Sequence, residues 1–259
     1  MPTTEDRMIQ LKDDYQIDKI RSSCKLLAEM FESVGEKITE GISTWDVDRM
    51  CEDFMHKHHS KGPCKGYYGF PCVSCTSVND TIIHGIPSKR EILRDGDLLS
   101  LDVCISLDGY ISDSTHSYEI GKVSDDVHSF NINTRRSLYL GIEAASKKSA
   151  RIQDIGLAVS QYARKFHYGI LKDYCGHGVG IELHEDPEVP NYVDIHLPNP
   201  RIREGMVFAI EPMLMMGGSS KFYVTDDDWT VKTIDGSYGC HWEHTVAITA
   251  NGLEILTEL

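Results

Sequence analysis

The sequence predicts an α+β fold built from two similar halves, and three observations support this. Amphipathic helical patterns alternate with strand-like segments along the chain. Three short features of the first half recur in the same order in the second half. No low-complexity segment or linker interrupts the 259 residues, so we expect a single domain covering residues 1–259.

The first half begins with two predicted helices. Apolar residues recur at steps of three and four from Ile17 to Val34, which is the spacing of an amphipathic helix. After a break at Gly41, Thr44 is predicted to cap a second helix with an apolar face from Val47 to Phe54. Residues 66–88 are rich in Gly, Pro, Ser and Asn and predict loops with short strands.

Strands and further helices follow. Residues 98–106 are strand-like and lead into Asp108-Gly109, a typical two-residue hairpin turn. Helical patterns return at about 134–148 and 152–167. After Gly205 the pattern is again that of strands, and Asn251-Gly252 predicts a closing hairpin.

The internal repeat places one histidine and one strand carboxylate in each half. The recurring features lie about 100 to 110 residues apart and indicate halves at roughly 40–125 and 148–250. The pairs are Trp45-Asp-Val with Gln153-Asp-Ile, His84-Gly-Ile-Pro with His184-Glu-Asp-Pro, and the stretches Gly96–Asp102 with Gly205–Glu211. Each pair alone could be chance, but together they indicate that both halves contribute to a shared centre.

Composition narrows the class of protein. No apolar run is long enough to span a membrane, and the acidic N-terminus is unlike a signal peptide. We therefore expect a cytoplasmic protein whose eight cysteines are mainly reduced. A net charge of −14 argues against a nucleic-acid partner held through its phosphates, and part of the acidic excess could hold cations.

Two aspartates in the predicted hairpin stand where apolar residues would pack better. A turn at Asp108-Gly109 sets Cys104 opposite Asp113, so Asp102 and Asp113 are diagonal neighbours on one face. Two carboxylates about 4 Å apart repel by about 4 kcal/mol at an effective dielectric constant of 20. A shared proton or a bound cation would remove that cost. The alternative is a solvated sheet face on which the two charges have no function.

Residues in the second half favour the cation. Glycines surround His177, which would let backbone and ligand approach closely, although a flexible loop with a solvated histidine is the plain alternative. Glu211 ends an apolar strand and Glu243 lies inside another, where a lone acid is usually structural or solvated. Buried charges need partners, and these segments offer few basic residues. A cluster of cation ligands therefore explains the four acids and the histidine better.

The type of donor narrows the metal. Two Asp, two Glu and one His form an oxygen-rich set without thiolate, which suits Mn(II), Fe(II), Co(II) or Zn(II). Five such ligands can hold two divalent ions about 3.5–4 Å apart, which activate a bridging water and stabilise a tetrahedral oxyanion. The chemistry that this predicts is hydrolysis of an amide or ester.

In chain order, the candidate ligands are Asp102, Asp113, His177, Glu211 and Glu243. This order and spacing resemble those of the type I methionine aminopeptidases, which have the pita-bread metallopeptidase fold. The resemblance runs from about residue 10 to the C-terminus, and the chain is similar to the short bacterial form. It implies two pseudo-symmetric halves around a curved, mainly antiparallel sheet with helices outside. The matching motifs are Asn79–Pro87, Leu101-Asp-Val, Ser112-Asp-Ser-Thr, Gly176–Gly180, His184-Glu-Asp-Pro, Gly205–Pro212 and Trp242-Glu-His-Thr.

The resemblance also implies roles for the site residues. Asp113 and Glu243 would bridge two metals, Asp102 would bind one of them, and His177 and Glu211 would complete the other. Glu211 would also shuttle the proton of the bridging water, so the catalytic set is His84, His184 and Glu211. His184 would lie near the substrate carbonyl oxygen and His84 near the amide nitrogen. The methionine pocket would include Tyr67, Phe70, Cys75 and Trp229.

The implied function is removal of the initiator methionine from peptides and nascent proteins by a monomer that could visit the ribosome. The alternatives are an Xaa-Pro-type aminopeptidase, whose large N-terminal domain is missing here, and a catalytically silent binding protein of the same fold. Two residues depart from the family pattern: Leu183 replaces a frequent aromatic residue and His241 a usual Gln. Three further motifs are weaker candidates for metal or redox sites: the Cys72–Cys75 pair, Cys240-His241 and His56–His59. Packing explains the cysteines better, and a solvated helix end explains the histidines better.

Overall fold

The computed structural model describes residues 9–259, so Met1–Met8 of the predicted domain lie outside the described residues. Four α-helices are present in this part: α1 (Asp14–Gly35), α2 (Thr44–Lys57), α3 (Asp125–Ala145) and α4 (Ile152–Lys165). The predicted first helix is confirmed, and α1 buries its apolar stripe from Ile17 to Val34. The predicted cap of α2 was wrong by one residue, because Ser43 rather than Thr44 accepts the hydrogen bond from Asp46 N.

Helix α3 begins about nine residues before its predicted start, at a cap formed by Ser124. Its buried face includes Asn131, Thr134 and Ser137, which are polar and therefore hid the helical period in the sequence. Helix α4 was predicted nearly as it stands, because its buried face is apolar from Ile152 to Ala163.

The strands form one large sheet and two small ones, and every pairing among the described strands is antiparallel. This confirms the prediction of a mainly antiparallel sheet. The strands are β1 (Ser74–Val78), β2 (Thr81–Ile83), β3 (Leu98–Leu107), β4 (Tyr110–Glu119), β5 (Gly169–Ile170), β6 (Gly176–Gly178), β7 (Glu185–Val189), β8 (Val207–Ile210), β9 (Met213–Met215), β10 (Phe222–Val224), β11 (Val231–Thr233), β12 (Gly239–His241), β13 (Glu243–Thr249) and β14 (Gly252–Ile255).

The large sheet joins strands from both predicted halves of the chain. Its order is β1-β3-β4-β13-β8-β6-β7, with β14 paired to β13. Strands β1, β3 and β4 come from the first half and the remaining strands from the second, so the halves meet where β4 pairs with β13. The strands of the repeated stretches, β3 and β8, lie at equal distances from this junction. This order agrees with two similar halves, although the extent of the domain stays a prediction.

The hairpin β3–β4 has the predicted turn and register. Leu107 pairs with Tyr110 across a two-residue turn, and Cys104 pairs with Asp113. Asp108 and Gly109 hold φ of 52° and 84°, the positive values that a type I′ turn requires at both positions. The predicted Asn251-Gly252 hairpin is also confirmed, since Thr249 pairs with Gly252 in β13–β14.

The helices pack against the large sheet and bury its apolar side chains. Helices α1 and α2 form one core cluster with strands of the first half, including Phe31, Val47 and Leu101. Helices α3 and α4 form another with strands of the second half, including Phe130, Ile155 and Phe208. None of the helices between residues 9 and 259 combines the length and apolarity that crossing a bilayer requires.

Candidate metal centre

The hairpin β3–β4 supplies two of the predicted donors. Asp113 lies directly opposite Cys104, and Asp102 lies opposite Thr115, so both carboxylates project from the same face. Asp113 is buried and accepts a hydrogen bond from Cys104 Sγ at 3.0 Å. Tertiary pairing keeps the strand in place, because Thr245 Oγ1 on β13 donates to Asp113 O at 2.7 Å.

Strands β13 and β8 bring the two glutamates to the same face. Glu243 pairs with Thr115 across the junction of the halves, and Thr115 Oγ1 donates to Glu243 Oε2 at 2.9 Å. Glu211 directly follows β8, the strand that pairs with β13 on its other edge. Asn191 Nδ2 fixes this strand end by donating to Glu211 O at 2.9 Å.

His177 completes the set from β6. Its Nε2 lies 3.7 Å from Asp113 Oδ2 and 3.7 Å from Glu211 Oε1. Its Nδ1 lies 2.9 Å from Gly178 O, an acceptor that requires the proton to be on Nδ1. The Nε2 lone pair therefore faces the carboxylates, which is the tautomer that a metal-binding imidazole needs.

The glycines beside His177 make room for neighbouring strands. A Cβ atom on Gly176 would lie 2.4 Å from Ala209 O, and one on Gly178 would lie 2.3 Å from Asp186 O. Both distances are far below normal contact, so each position needs glycine. The expected close approach of backbone at these glycines is therefore confirmed, whereas the approach of a ligand stays a prediction.

All five predicted donors converge on one centre. Ligand atoms of Asp113, His177 and Glu243 lie within 4.8 Å of one another. Those of Asp102 and Asp113 meet within the same limit and include Cys104 Sγ as a third atom. Asp113 belongs to both groups, which is the position that a bridging carboxylate would occupy. The sequence placed Cys104 opposite Asp113 but assigned no role to its thiol.

Burial perturbs every titratable member of the cluster. Burial, opposed by His241 and reinforced by Glu211, raises the pKa of Asp102 to about 6. Burial raises the pKa of Glu211 to about 8, and burial together with neighbouring carboxylates raises the pKa of Asp113 and of Glu243 well above the usual range. Burial lowers the pKa of His177 to about 3. A group of buried acids without a counter-charge is costly, and a cation would remove this cost.

Two buried atoms lack partners in a way that fits a cation. Within residues 9–259, Glu243 Oε1 and His241 Nε2 have no hydrogen-bond partner. His241 Nε2 lies 3.2 Å from Glu211 Oε2, a short distance whose alignment does not give a hydrogen bond. Buried polar atoms are nearly always satisfied, so the donor set fits one or more divalent cations.

The cluster lines a cavity of about 390 Å³, together with the predicted catalytic histidines and pocket residues. His84 and His184 both line it. The predicted pocket residues Tyr67, Phe70, Cys75 and Trp229 line it as well. Phe70 and Trp229 pack edge to face with ring centroids 5.1 Å apart. An aromatic wall with a sulfur neighbour suits a flexible apolar side chain such as a thioether.

The two histidines of the repeat have different neighbours in this cavity. His184 lies beside His177, with ring centroids 4.2 Å apart and the rings tilted by 51°, and its Nδ1 lies 2.9 Å from Tyr67 Oη. His84 faces Trp229 and Tyr174, with centroid distances of 6.1 and 5.5 Å. His84 also has φ of 58°, an uncommon value for a non-glycine residue that is often retained at functional sites.

Comparison with known proteins decides the family. The sequence model of metallopeptidase family M24 matches residues 18–250 of this chain. The chain belongs to metallopeptidase family M24. A protein named methionine aminopeptidase from Clostridium acetobutylicum is 42% identical over 252 residues, which cover 96% of this chain and 99% of that protein. The crystal structure of the methionine aminopeptidase from Thermotoga maritima has a TM-score of 0.92 and 35% identity, covering 97% of this chain and 100% of that one.

The pita-bread fold expected from the sequence is confirmed by these matches. A prolidase from Pyrococcus furiosus shares the fold, with a TM-score of 0.78, but is 23% identical and is covered over 67% of its length. Membership of family M24 makes this chain a metal-dependent hydrolase of peptides. The expectation of an enzyme is therefore confirmed.

Two neighbours of this M24 centre were left without a role in the sequence, and a third, Tyr67, was assigned only to the methionine pocket. His241 is buried beside Glu211, Cys104 touches Asp113, and Tyr67 Oη lies within hydrogen-bond distance of His184. His241 carried one signal, its departure from the Gln usual at this position. Cys104 carried another, because the hairpin register places it opposite Asp113.

Proposed function

We propose that this M24 metallopeptidase removes an N-terminal methionine from peptides and nascent proteins. The single observation that carries the proposal is the cavity of about 390 Å³, which is lined by the five donors, by aromatic side chains and by Cys75. The names of the relatives support the same substrate. The aromatic lining would take an apolar side chain, and hydrolysis beside the five donors would release one residue.

The proposed ligands are Asp102, Asp113, His177, Glu211 and Glu243, holding two divalent ions drawn from Mn, Fe, Co and Zn. Bound there, the ions would supply an activated water and would polarise the scissile carbonyl. Asp113 and Glu243 are the proposed bridges, supported for Asp113 by its place in both groups of close ligand atoms. Asp102 would serve one ion, and His177 and Glu211 the other.

Side chains that line the cavity would transfer the proton and contact the scissile amide. Glu211 is the proposed proton carrier, since a buried carboxylate can accept the proton of the attacking water and pass it on. The proposed position of His184 is beside the carbonyl oxygen, and Tyr67 Oη, 2.9 Å from its Nδ1, would fix the ring. His84 would meet the amide nitrogen from the opposite side. Burial lowers the pKa of His84 to about 4, so its ring is neutral near pH 7.

We also propose that the protein is a single-domain monomer of the cytoplasm that acts on chain N-termini, with the ribosome as a candidate partner. No nucleic acid or membrane is proposed as a binding partner.

One assay tests the substrate. Metal-stripped protein is reconstituted separately with Mn(II), Fe(II), Co(II) and Zn(II) and incubated with Met-Ala-Ser, Leu-Ala-Ser and Ala-Pro peptides. We expect release of methionine alone, with the metal-stripped protein as the inactive control. Cleavage restricted to Ala-Pro would replace the proposal with the prolyl-specific alternative. Metal binding without any cleavage would favour the silent binding protein.

A further inference from the structure

Two thiols lie side by side at the edge of the proposed metal centre. Cys64 Sγ and Cys104 Sγ are 3.2 Å apart, and both residues line the cavity. Cys64 belongs to the loop after α2, and Cys104 belongs to β3, so the contact joins segments distant in the sequence. A disulfide has its sulfurs about 2.05 Å apart, so the pair would close with a movement of about 1 Å.

Cys104 connects this pair to Asp113. Its Sγ lies 3.0 Å from Asp113 Oδ1, and the two residues are direct partners across the hairpin. The thiol donates this hydrogen bond, and a disulfide sulfur has no hydrogen to donate. Forming a disulfide would therefore remove a partner from the carboxylate that belongs to both ligand groups and would draw the sulfur toward Cys64.

Cys64 connects the pair to solvent and to the substrate side of the cavity. Cys64 is partly exposed, whereas Cys104 is buried, so a small oxidant can meet the Cys64 sulfur first. Tyr67 N donates to Cys64 O at 3.0 Å, and Tyr67 Oη lies 2.9 Å from His184 Nδ1. A shift of Cys64 would thus also disturb the side chain that holds His184.

We propose that Cys64 and Cys104 are a reversible oxidation site at which a peroxide forms a disulfide that inactivates the enzyme. Hydrogen peroxide oxidises the Cys64 thiol to a sulfenic acid and is reduced to water. The Cys104 thiol then attacks this sulfur, the S–S bond forms, and the sulfenic oxygen leaves as a second water. Two electrons pass from the two thiols to one peroxide, and a dithiol reductant restores both thiols. The disulfide itself does not depend on the substrate proposed above.

Peptide mapping tests the bond directly, because trypsin separates the relevant cysteines. Cleavage after Lys and Arg gives 62–65 with Cys64 alone, 95–122 with Cys104 alone, and 66–89 with Cys72 and Cys75. Mn(II)-loaded full-length protein is treated with hydrogen peroxide, alkylated and digested without reduction. We expect a 62–65/95–122 cross-linked peptide that disappears after dithiothreitol. A peroxide-treated protein with Cys64 oxidised but no such cross-link, or with only a Cys72–Cys75 bond, would overturn the proposal.

Activity measurements test the inactivation, with each variant compared with its own untreated sample. We expect peroxide to lower wild-type methionine release about tenfold or more, in step with the cross-linked fraction, and dithiothreitol to restore it. Cys64→Ser should form no cross-link and keep its untreated rate, whereas the matched control Cys72→Ser should behave like the wild type. Equal inactivation of Cys64→Ser, or full activity of the cross-linked protein, would refute the inhibitory role. If no variant cleaves methionine at all, the proposed substrate fails while the mapping still decides the disulfide.

Discussion

At the residue scale, the proposed ligands and the proposed catalytic histidines differ in where they sit. Asp113 and Glu243 lie inside the cluster of close ligand atoms, whereas His84 and His184 lie on the cavity walls. Replacing His84 or His184 with Ala should therefore lower kcat by about 100-fold or more while leaving bound metal unchanged. Steady-state kinetics and elemental analysis of the gel-filtered proteins measure the two quantities.

Glu243→Ala provides the opposite case in the same experiment. Loss of this carboxylate should lower the metal content as well as the rate, because Glu243 would bind both ions. A fall in metal content in His84→Ala or His184→Ala would contradict their roles as residues outside the ligand set. Full metal content in Glu243→Ala would contradict its role as a bridge.

A second residue prediction concerns His241, which lies beside a proposed ligand. Its Nε2 is 3.2 Å from Glu211 Oε2, and its backbone N donates a hydrogen bond to Ser100 Oγ on β3. His241→Ala should weaken metal affinity by about 10- to 100-fold, because partners of ligating carboxylates orient them. His241→Gln should lose less, since the amide keeps a polar side chain beside Glu211 and has an N–H that can donate to its carboxylate. Competition with a fluorescent chelator measures the metal affinity of both variants. Equal affinity in His241→Ala and the wild type would show that His241 does not support Glu211 as a ligand.

These residues also show what a sequence reveals about a site. The five donors could be predicted because each interrupts apolar or glycine-rich sequence, where a charge needs an explanation. The contact of His241 with Glu211 and that of Cys64 with Cys104 could not be predicted, because they depend on side-chain positions from strands and loops that meet only in the folded chain.

At the element scale, the β3–β4 hairpin aims Asp102 and Asp113, and its turn sets the register. Gly109 has φ of 84°, a conformation that strains a β-branched residue, so Gly109→Val should lower the free energy of unfolding by about 1–3 kcal/mol. The same change should weaken metal binding if the register shifts. Asp108→Gly is the control, because glycine accepts the φ of 52° at that position without strain. Urea unfolding measures stability, and equal midpoints for Gly109→Val and the wild type would contradict the argument.

This hairpin was predictable because its signals are local, whereas other elements depend on tertiary contacts. The start of α3 was missed because its first turns bury Asn131, a polar residue whose amide is satisfied by Glu119 on β4. Strands of two or three residues, such as β5, β6 and β12, carry too few residues to show a period. Their positions follow from pairing with strands far away in the sequence.

At the scale of the whole molecule, the buried carboxylates link stability to pH and to metal. The pKa of Glu211 is raised from 4.5 to about 8, so the folded metal-free protein keeps a proton that the unfolded chain has lost. A raised pKa gives stability that is complete below the unfolded value and is lost as the pH rises through the folded value. The histidines act in the opposite direction, since burial lowers the pKa of His177 from 6.5 to about 3 and that of His84 to about 4. Most of their contribution is lost below pH 6.5, and each buried histidine changes stability by less than about 0.5 kcal/mol between pH 6.5 and 8. The three glutamates and aspartates with raised pKa values therefore set the direction of the change in this window.

In that window, the metal-free protein should become less stable as the pH rises. Each retained proton changes the unfolding free energy by about 1.4 kcal/mol per pH unit, which gives a loss of about 2 kcal/mol for Glu211 alone. Asp113 and Glu243, whose pKa values are also raised, would add to this loss. Bound Mn(II) should abolish the slope, because the ligands must then be ionised and binding releases their protons. Urea unfolding of metal-free and Mn(II)-saturated protein across this window measures both slopes. A metal-free protein whose stability stays constant or rises over the window would show that these acids are not held protonated in the fold, and their role in gathering the cations would then need another explanation.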